Sequence, residues 1–416
     1  MNVLETFIEV DFHQAKKHGQ GAAGDVFLSR KTEDGRVISV LSDGLGSGVK
    51  AGVLATLTAT MALKFIEEEI PIKRAAGIIM KTLPVCKERR ISYATFTIVD
   101  IDNADTVKII EYDNPPYLLI RDDTQVEPLK TETEARRSPR SSGTAGAGRS
   151  AAAAERRLRA AILHYSEFEA LPGDRLVFFS DGIAQAGMGT AAMPLGWGSP
   201  AVQTLALSLV KENPELSARD LARRLVREAE ARDGYAAKDD ITCGVVYFRR
   251  PRRILVMTGP SVDRDRDREM AELFDRFPGR RVLCGGTTAT IVARELGRGV
   301  KVSLKDMSPD MPPASVMEGA DLVTEGIITL GKVAELLDRR EALEAAFAAP
   351  RKSPAARIAE LLLDSDVIDL VIGTKINEAH QDPSMPAELE IRRNIVKRLA
   401  SLLEEKYLKE TRLRYI

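Results

Sequence analysis

Four short acidic motifs carry the chemistry that can be read from this chain: Gly24-Asp25, Ser42-Asp43-Gly44, Ser180-Asp181-Gly182 and Lys238-Asp239-Asp240-Ile241-Thr242. Each stands against apolar residues with the character of a strand. A carboxylate at the end of a buried strand is costly unless it is paired or binds a cation. Several such carboxylates brought together repel one another, and a bound cation removes the conflict. An all-oxygen donor set of carboxylates, carbonyls and water favours hard cations such as Mg²⁺ or Mn²⁺. Two such ions about 4 Å apart can share a water, lower its pKa and clamp a phosphoryl group for in-line attack. A glycine after the aspartate lets the chain turn tightly and brings a carbonyl within reach of a metal. One Asp-Gly alone is most simply a turn. Two Ser-Asp-Gly triplets behind apolar strands, with an Asp-Asp pair leading into a third, ask for more than turns.

The elements that must hold these motifs can be outlined. Val37–Leu41 reads as a strand running into the first Ser-Asp-Gly, and Ser47–Glu68 as a long amphipathic helix with Ser47 as its N-cap. Ala94–Ile101, Val107–Tyr112, Tyr117–Ile120, Leu176–Phe179 and Ile241–Phe248 are rich in β-branched and other apolar residues, as strands are. Ser217-Ala-Arg-Asp220 resembles a capping box opening a helix to about Ala231. The first block, residues 1–250, is therefore expected to be α+β. Within it, Thr131–Ala160 is dominated by Ala, Arg, Ser and Gly and has no large apolar residue before Leu158. Such a segment cannot offset its ordering entropy, and it is expected to be a disordered insertion.

A basic run, Arg249–Arg253, marks the expected boundary to a second domain, residues 251–416. There, apolar runs at Ile254–Met257, Val282–Cys284, Val300–Ser303, Asp321–Val323 and Val367–Ile372 alternate with helical stretches. The last of these, Ala387–Lys409, is long and amphipathic. That alternation predicts an α/β domain.

Bulk properties narrow the function classes. The chain has 416 residues, a formal net charge of −1 and 29% charged residues. No basic field points to nucleic acid and no charged tail to a strongly charged partner. Three separated cysteines, Cys86, Cys243 and Cys284, exclude a disulfide framework and fit a reducing compartment. Four histidines give no pair at zinc-site spacing. The N-terminus lacks the pattern of a signal peptide, and no apolar stretch approaches the roughly 20 residues that span a bilayer. A cytoplasmic protein without a membrane partner is the expectation.

The order of the motifs then becomes specific. Gly-Asp, Ser-Asp-Gly-Leu-Gly-Ser-Gly before a helix, Phe-Phe-Ser-Asp-Gly-Ile, and Asp-Asp-Ile-Thr together resemble the metal-dependent, type-2C serine/threonine protein phosphatases, and within them the SpoIIE-like branch. The resemblance covers about residues 1–250. It implies a central β-sandwich flanked by helices, and two divalent cations, Mn²⁺ or Mg²⁺. Asp43 would bridge both ions and Gly44 would offer its carbonyl. Asp25 would serve one ion, and Asp181 and Asp239 the other, with Asp240 a possible additional ligand. Asp43, Asp181 and Asp239 would be the catalytic set. The implied reaction is hydrolysis of phosphoserine or phosphothreonine on a bacterial regulatory protein by a metal-activated water, without a phosphoenzyme. The phosphate-clamping arginine of eukaryotic relatives has no counterpart here. Lys16, Lys17, His13 and His18 are candidates for that electrostatic role.

Two motifs mislead. Cys243…Arg249 has the spacing of a cysteine phosphatase, but the residues between alternate as a buried strand does. Gly44-Leu-Gly-Ser-Gly-Val-Lys50 fails as a Walker loop at Val49 and Ala51.

In the second domain, polar residues follow three apolar runs: Gly285, Gly286, Thr287 and Thr288, then Glu325, then Asn377, Glu378 and His380. Glycines and hydroxyls at a helix N-terminus suit an anion, and ligands of open α/β sheets gather beyond the carboxyl ends of strands. A small-molecule effector such as a nucleotide or phosphometabolite is therefore expected, although capped helices and hydrogen-bonded loops would give the same residues. Two other functional readings remain open. The second domain could carry the main activity, or the first could be an inactive binding module with a phosphatase fold.

Overall fold

The computed structural model describes every residue except 1–5, 47, 84–93, 137–159, 303–312 and 375–387. The chain divides into two compact units, Ile8–Arg249 and one built from Arg250–Ile416.

The first unit contains β1 (Phe7–Ala15), β2 (Asp25–Lys31), β3 (Val37–Gly44), α1 (Val49–Glu67), α2 (Ile72–Thr82), β4 (Ala94–Ile101), β5 (Thr106–Tyr112), β6 (Leu118–Arg121), β7 (Thr124–Val126), β8 (Lys130–Arg136), β9 (Ala160–Glu169), β10 (Arg175–Phe179), α3 (Asp181–Gln185), α4 (Ser199–Glu212), α5 (Ala218–Arg232) and β11 (Ile241–Arg249). One sheet has the order β1-β11-β10-β6-β7 and the other β2-β3-β4-β5-β9-β8. Their inner faces interlock through aromatic rings. Phe27 of β2 stacks on Phe12 of β1 at 4.5 Å and on Phe178 of β10 at 5.8 Å between centroids. Outside the β2–β9 sheet, Ala59, Ala62 and Ile66 of α1 and Ile79 and Met80 of α2 bury against Ile38, Val40, Phe96, Ile98 and Ile110. Outside the other sheet, Val202, Ala206 and Val210 of α4 and Leu221, Leu225 and Val226 of α5 cover Val177, Phe179 and Val245. The unit is thus a β-sandwich with a helical layer on each side.

Several local expectations meet the structure here. Ser217 caps α5, its hydroxyl accepting the Asp220 N–H at 3.1 Å. Ser47 lies outside the described residues, and the N-cap of α1 is Gly48 at φ +73°. Both ends of the segment expected to be a disordered insertion, Thr131–Ala160, lie in strands. Residues 131–136 belong to β8 and pair antiparallel with β9, which begins at Ala160. The alternating Thr-Glu-Thr-Glu suits an exposed edge strand, and residues 137–159 lie outside the described part. Cys86 does so too.

Contrary to the expectation that no apolar stretch approaches membrane-spanning length, α1, with 19 residues, is long and apolar enough to cross a bilayer by length and composition alone. Its buried face, including Ala51, Ala55, Ala59 and Ala62, packs within the unit as a core helix does.

The second unit contains β12 (Arg253–Thr258), α6 (Asp267–Arg276), β13 (Arg280–Cys284), α7 (Gly286–Leu296), β14 (Val300–Val302), β15 (Ser315–Met317), β16 (Leu322–Thr324), α8 (Ile327–Asp338), α9 (Arg340–Ala348), α10 (Pro354–Leu363), β17 (Val367–Ile372), α11 (Glu388–Tyr407) and β18 (Glu410–Tyr415). The sheet order is β14-β15-β16-β13-β12-β17-β18, parallel from β16 to β18 and antiparallel at the β14–β15 edge. Ile254, Val256 and Val282 face α8, α10 and α11, whereas Leu255, Met257 and Leu283 face α6 and α7. Residues alternate between the two sides because side chains alternate along a strand. Chain order reverses between β12 and β17, the point at which doubly wound sheets open a ligand crevice. Here Arg392 of α11 lies at that point and donates to the Gly373 carbonyl at 3.3 Å.

Candidate metal centre

Strand register explains why the four acidic motifs meet. In β2 and β3 the antiparallel register sets Asp25 opposite Asp43. In the other sheet, β10 ends at Phe179 opposite Cys243 of β11, so Asp181 emerges beside the residues that lead into β11. The Ser180 N–H donates to the Thr242 carbonyl at 2.9 Å, and the Thr242 N–H to the Ser180 hydroxyl at 3.0 Å. Each sheet therefore delivers acidic groups to one end of the sandwich.

Electrostatics shows how closely they stand. Asp43 has its carboxyl held well above the usual carboxylate range, first by burial and then by the charges of Asp25, Asp181 and Asp239. Asp25 is pushed up to about 7, chiefly by burial, against hydrogen bonds from Thr242 and Ser180 that favour its ionised form. Asp239 is raised by burial, and the nearby Lys17 opposes that shift.

The Asp239-Asp240 pair divides its work. Asp240 is 3% exposed, and its two oxygens accept the main-chain N–H groups of Lys17 at 3.1 Å and Gly24 at 2.8 Å. It ties the β1–β2 connection to the start of β11, which places Asp25. Asp239 is only half-buried, and its nearest cation is the Lys17 ammonium at 3.7 Å. Lys17, one of the four electrostatic candidates, is placed against a carboxylate of the cluster.

Supporting side chains hold these carboxylates in place. The Thr242 hydroxyl donates to Asp25 Oδ2 at 2.7 Å, and Gln14 Nε2 donates to the Thr242 hydroxyl and to the Asp25 carbonyl, both at 3.0 Å. Gln185 Nε2 donates to Asp181 Oδ2 at 2.7 Å, one turn along α3. Thr242 closes the Asp-Asp-Ile-Thr motif and Gln185 follows Asp181 by one helical turn, whereas no sequence signal marks Gln14. Replacing Thr242 by the isosteric Val should weaken Mn²⁺ binding about tenfold to a hundredfold, as outer-shell substitutions do. Titrating Mn²⁺ against melting temperature checks this, and an unchanged midpoint would show that Thr242 does not position Asp25.

Two glycines are required by close approach. A Cβ on Gly44 would stand 2.2 Å from the Ala51 carbonyl oxygen in α1, and one on Gly182 would stand 2.1 Å from the Asp240 carbonyl oxygen. The first packs α1 onto the cluster, and the second lets α3 pass over β11.

The donor set is all oxygen, its carboxylates repel one another, and the cluster lies partly open to solvent. That chemistry fits hard divalent cations. Among the described residues no three His, Cys, Asp or Glu side chains are placed to hold one ion by themselves. Mg²⁺-type ions tolerate this, because they keep several waters and take one or two carboxylates. The cysteine alternative fails on structure. Cys243 is fully buried in β11, burial drives its thiol pKa far upward, and Arg249 is bonded to Glu9 at 2.7 Å.

In the second unit, Gly285–Thr288 sit at the start of α7 and Glu325 follows β16. Asn377, Glu378 and His380 lie outside the described residues.

Comparison with known proteins places the first unit. The family model described as Stage II sporulation protein E (SpoIIE) matches residues 33–249, just over half of the chain; Asp25 precedes that match. The curated proteins contain no match. Among solved structures, the phosphatase domain of the cell fate determinant SpoIIE from Bacillus subtilis is 19% identical, covering 59% of this chain and 93% of that one, with a TM-score of 0.39. The RsbU and RsbW domains of Rv1364c from Mycobacterium tuberculosis are 19% identical, covering 64% and 67%, with a TM-score of 0.41. RsbX in complex with magnesium is 16% identical, covering 58% and 95%, with a TM-score of 0.37. Through residues 33–249 the chain belongs to the SpoIIE family.

Proposed function

We propose that Ile8–Arg249 is a metal-dependent phosphatase acting on phosphoserine or phosphothreonine in a protein. The observation that carries this reading is the convergence of four aspartates from two sheets: Asp25 stands opposite Asp43 in register, and the charges of Asp25, Asp181 and Asp239 add to burial in raising the Asp43 carboxyl. Asp43 would lie between two cations, Mn²⁺ or Mg²⁺, with the Gly44 carbonyl beside it. Asp25 would hold one ion, and Asp181 and Asp239 the other. When bound, the ions supply a water of lowered pKa and positive charge for the transferring phosphoryl group. Thr242 and Gln14 hold Asp25 in place, and Gln185 fixes Asp181. Asp240 keeps the Gly24 turn closed through its two amide bonds, and Lys17 adds positive charge at the mouth. The substrate we propose, a bacterial regulatory phosphoprotein, rests on the family alone. Hydrolysis of a phosphoserine peptide should require Mn²⁺ or Mg²⁺ and stop with EDTA. Turnover that persists in EDTA would overturn the reading.

The same cluster links metal to stability. The Asp25 carboxyl rises from 3.8 to about 7 on folding. Between those values the metal-free folded chain keeps a proton that the unfolded chain has released. Metal-free stability therefore falls as pH rises from about 4 through about 7. A cation that stabilises the carboxylate cancels that loss. Mn²⁺ should raise the melting temperature more at about pH 8 than at about pH 5. Equal shifts at the two pH values would contradict this.

A further inference from the structure

Two helices of the second unit begin side by side with open amides. α7 leaves β13 and α8 leaves β16, and these strands are parallel neighbours. Each helix starts behind a glycine, Gly285 or Gly326, and neither has a side-chain cap. The turns are in close contact: a Cβ on Gly326 would stand 3.5 Å from Gly285 Cα, and the Gly285 N–H donates to the Thr324 carbonyl at 2.8 Å. The first helical bonds run from the Ala289 N–H to the Gly285 carbonyl and from the Leu330 N–H to the Gly326 carbonyl. The amides of Gly286, Thr287 and Thr288, and those of Ile327, Ile328 and Thr329, are thus left at the positive ends of two adjacent helices.

A second observation points to a ligand. Thr288, in the first turn of α7, is fully buried, and its hydroxyl has no hydrogen-bond partner among the described residues. That hydroxyl stands over the turn, 3.1 Å from where a Cβ on Gly285 would be. A buried donor is costly to leave unmatched, and an oxygen-rich ligand at the turn would satisfy it. Gly286 and Thr287 are exposed, and no described atom lies within 4 Å of a Cβ built on Gly286. Glu325, just before Gly326, is also exposed. Its charge disfavours a bare phosphate dianion, and its oxygens suit a ligand that carries hydroxyls beside the phosphate.

We propose that the paired N-termini of α7 and α8 bind the phosphoryl group of a small hydroxylated phosphate monoester, with Thr288 as a ligand contact and Glu325 accepting from the ligand's hydroxyls. A nucleoside 5′-monophosphate and a sugar phosphate share this chemistry.

Hydrogen exchange on the full chain tests this and localises any binding away from the first unit. The probes are orthophosphate, a nucleoside 5′-monophosphate and a hexose phosphate at millimolar concentration. At least one monoester should slow exchange at residues 286–288 and 327–329 more than orthophosphate does, and the better monoester identifies the source. Gly286→Asp places a carboxylate where helix N-termini favour one. It should abolish the protection without lowering the melting temperature. Thr288→Val should weaken binding about tenfold while raising the melting temperature of the ligand-free chain. Absence of protection with all three probes, or protection unchanged in Gly286→Asp, would overturn the proposal. Unchanged affinity in Thr288→Val would remove the hydroxyl from the site.

Discussion

Asp43→Asn is expected to lower kcat for phosphopeptide hydrolysis by about a thousandfold while raising the stability of the metal-free chain. The two effects share one cause. Asp43 is the carboxylate whose pKa responds to the acids of both sheets, Asp25 on its own sheet and Asp181 and Asp239 from the other. Asparagine keeps the shape and removes the charge. If the carboxylate holds cations that contribute about 4 kcal/mol of transition-state stabilisation, the rate falls about a thousandfold. Without metal, the same charge is buried among like charges, so its removal relieves a cost. Phosphopeptide kinetics in Mn²⁺ and thermal melts in EDTA read the two effects separately. A variant that folds with unchanged kcat would remove Asp43 from the reaction.

Gly182→Ala should damage both fold and activity. Its methyl group would stand 2.1 Å from the Asp240 carbonyl oxygen, and that obstacle is backbone that cannot rotate away. Relief requires α3 to move off β11, which separates Asp181 from Asp239. Overpacking of this kind costs about 1–3 kcal/mol, on the order of a 2–12 °C drop in melting temperature for a domain of this size. The accompanying loss of turnover should exceed what the unfolded fraction explains, and extra Mn²⁺ should not restore it. A variant with wild-type melting and turnover would show that the turn yields at no cost.

The sequence made the aspartates legible because each follows or precedes an apolar strand in a short fixed motif. It could not divide Asp239 from Asp240, since that division depends on where two distant amides, those of Lys17 and Gly24, are placed. Gln14 was equally hidden, because its partner Thr242 is 228 residues away. β1 escaped notice for a similar reason. Its Glu9 is 4% exposed and bonded to Arg249 at the far end of the unit, so the strand does not alternate cleanly between apolar and polar. β8 was masked by the biased composition that follows it. In the second unit the α/β alternation was plain, but strand order is a long-range property. The sequence could not show that Arg392 lies at the switch point, nor that the turns after β13 and β16 touch.

The most direct measurement of the central claim is the stoichiometry of Mn²⁺ binding to the full chain, by calorimetry with electron paramagnetic resonance on the same samples. The account predicts two ions per chain, coupled magnetically through a shared carboxylate, with the coupling lost in Asp43→Asn. Hydrolysis by a chain that binds no Mn²⁺ or Mg²⁺, or undiminished binding of a coupled pair in Asp43→Asn, would contradict it.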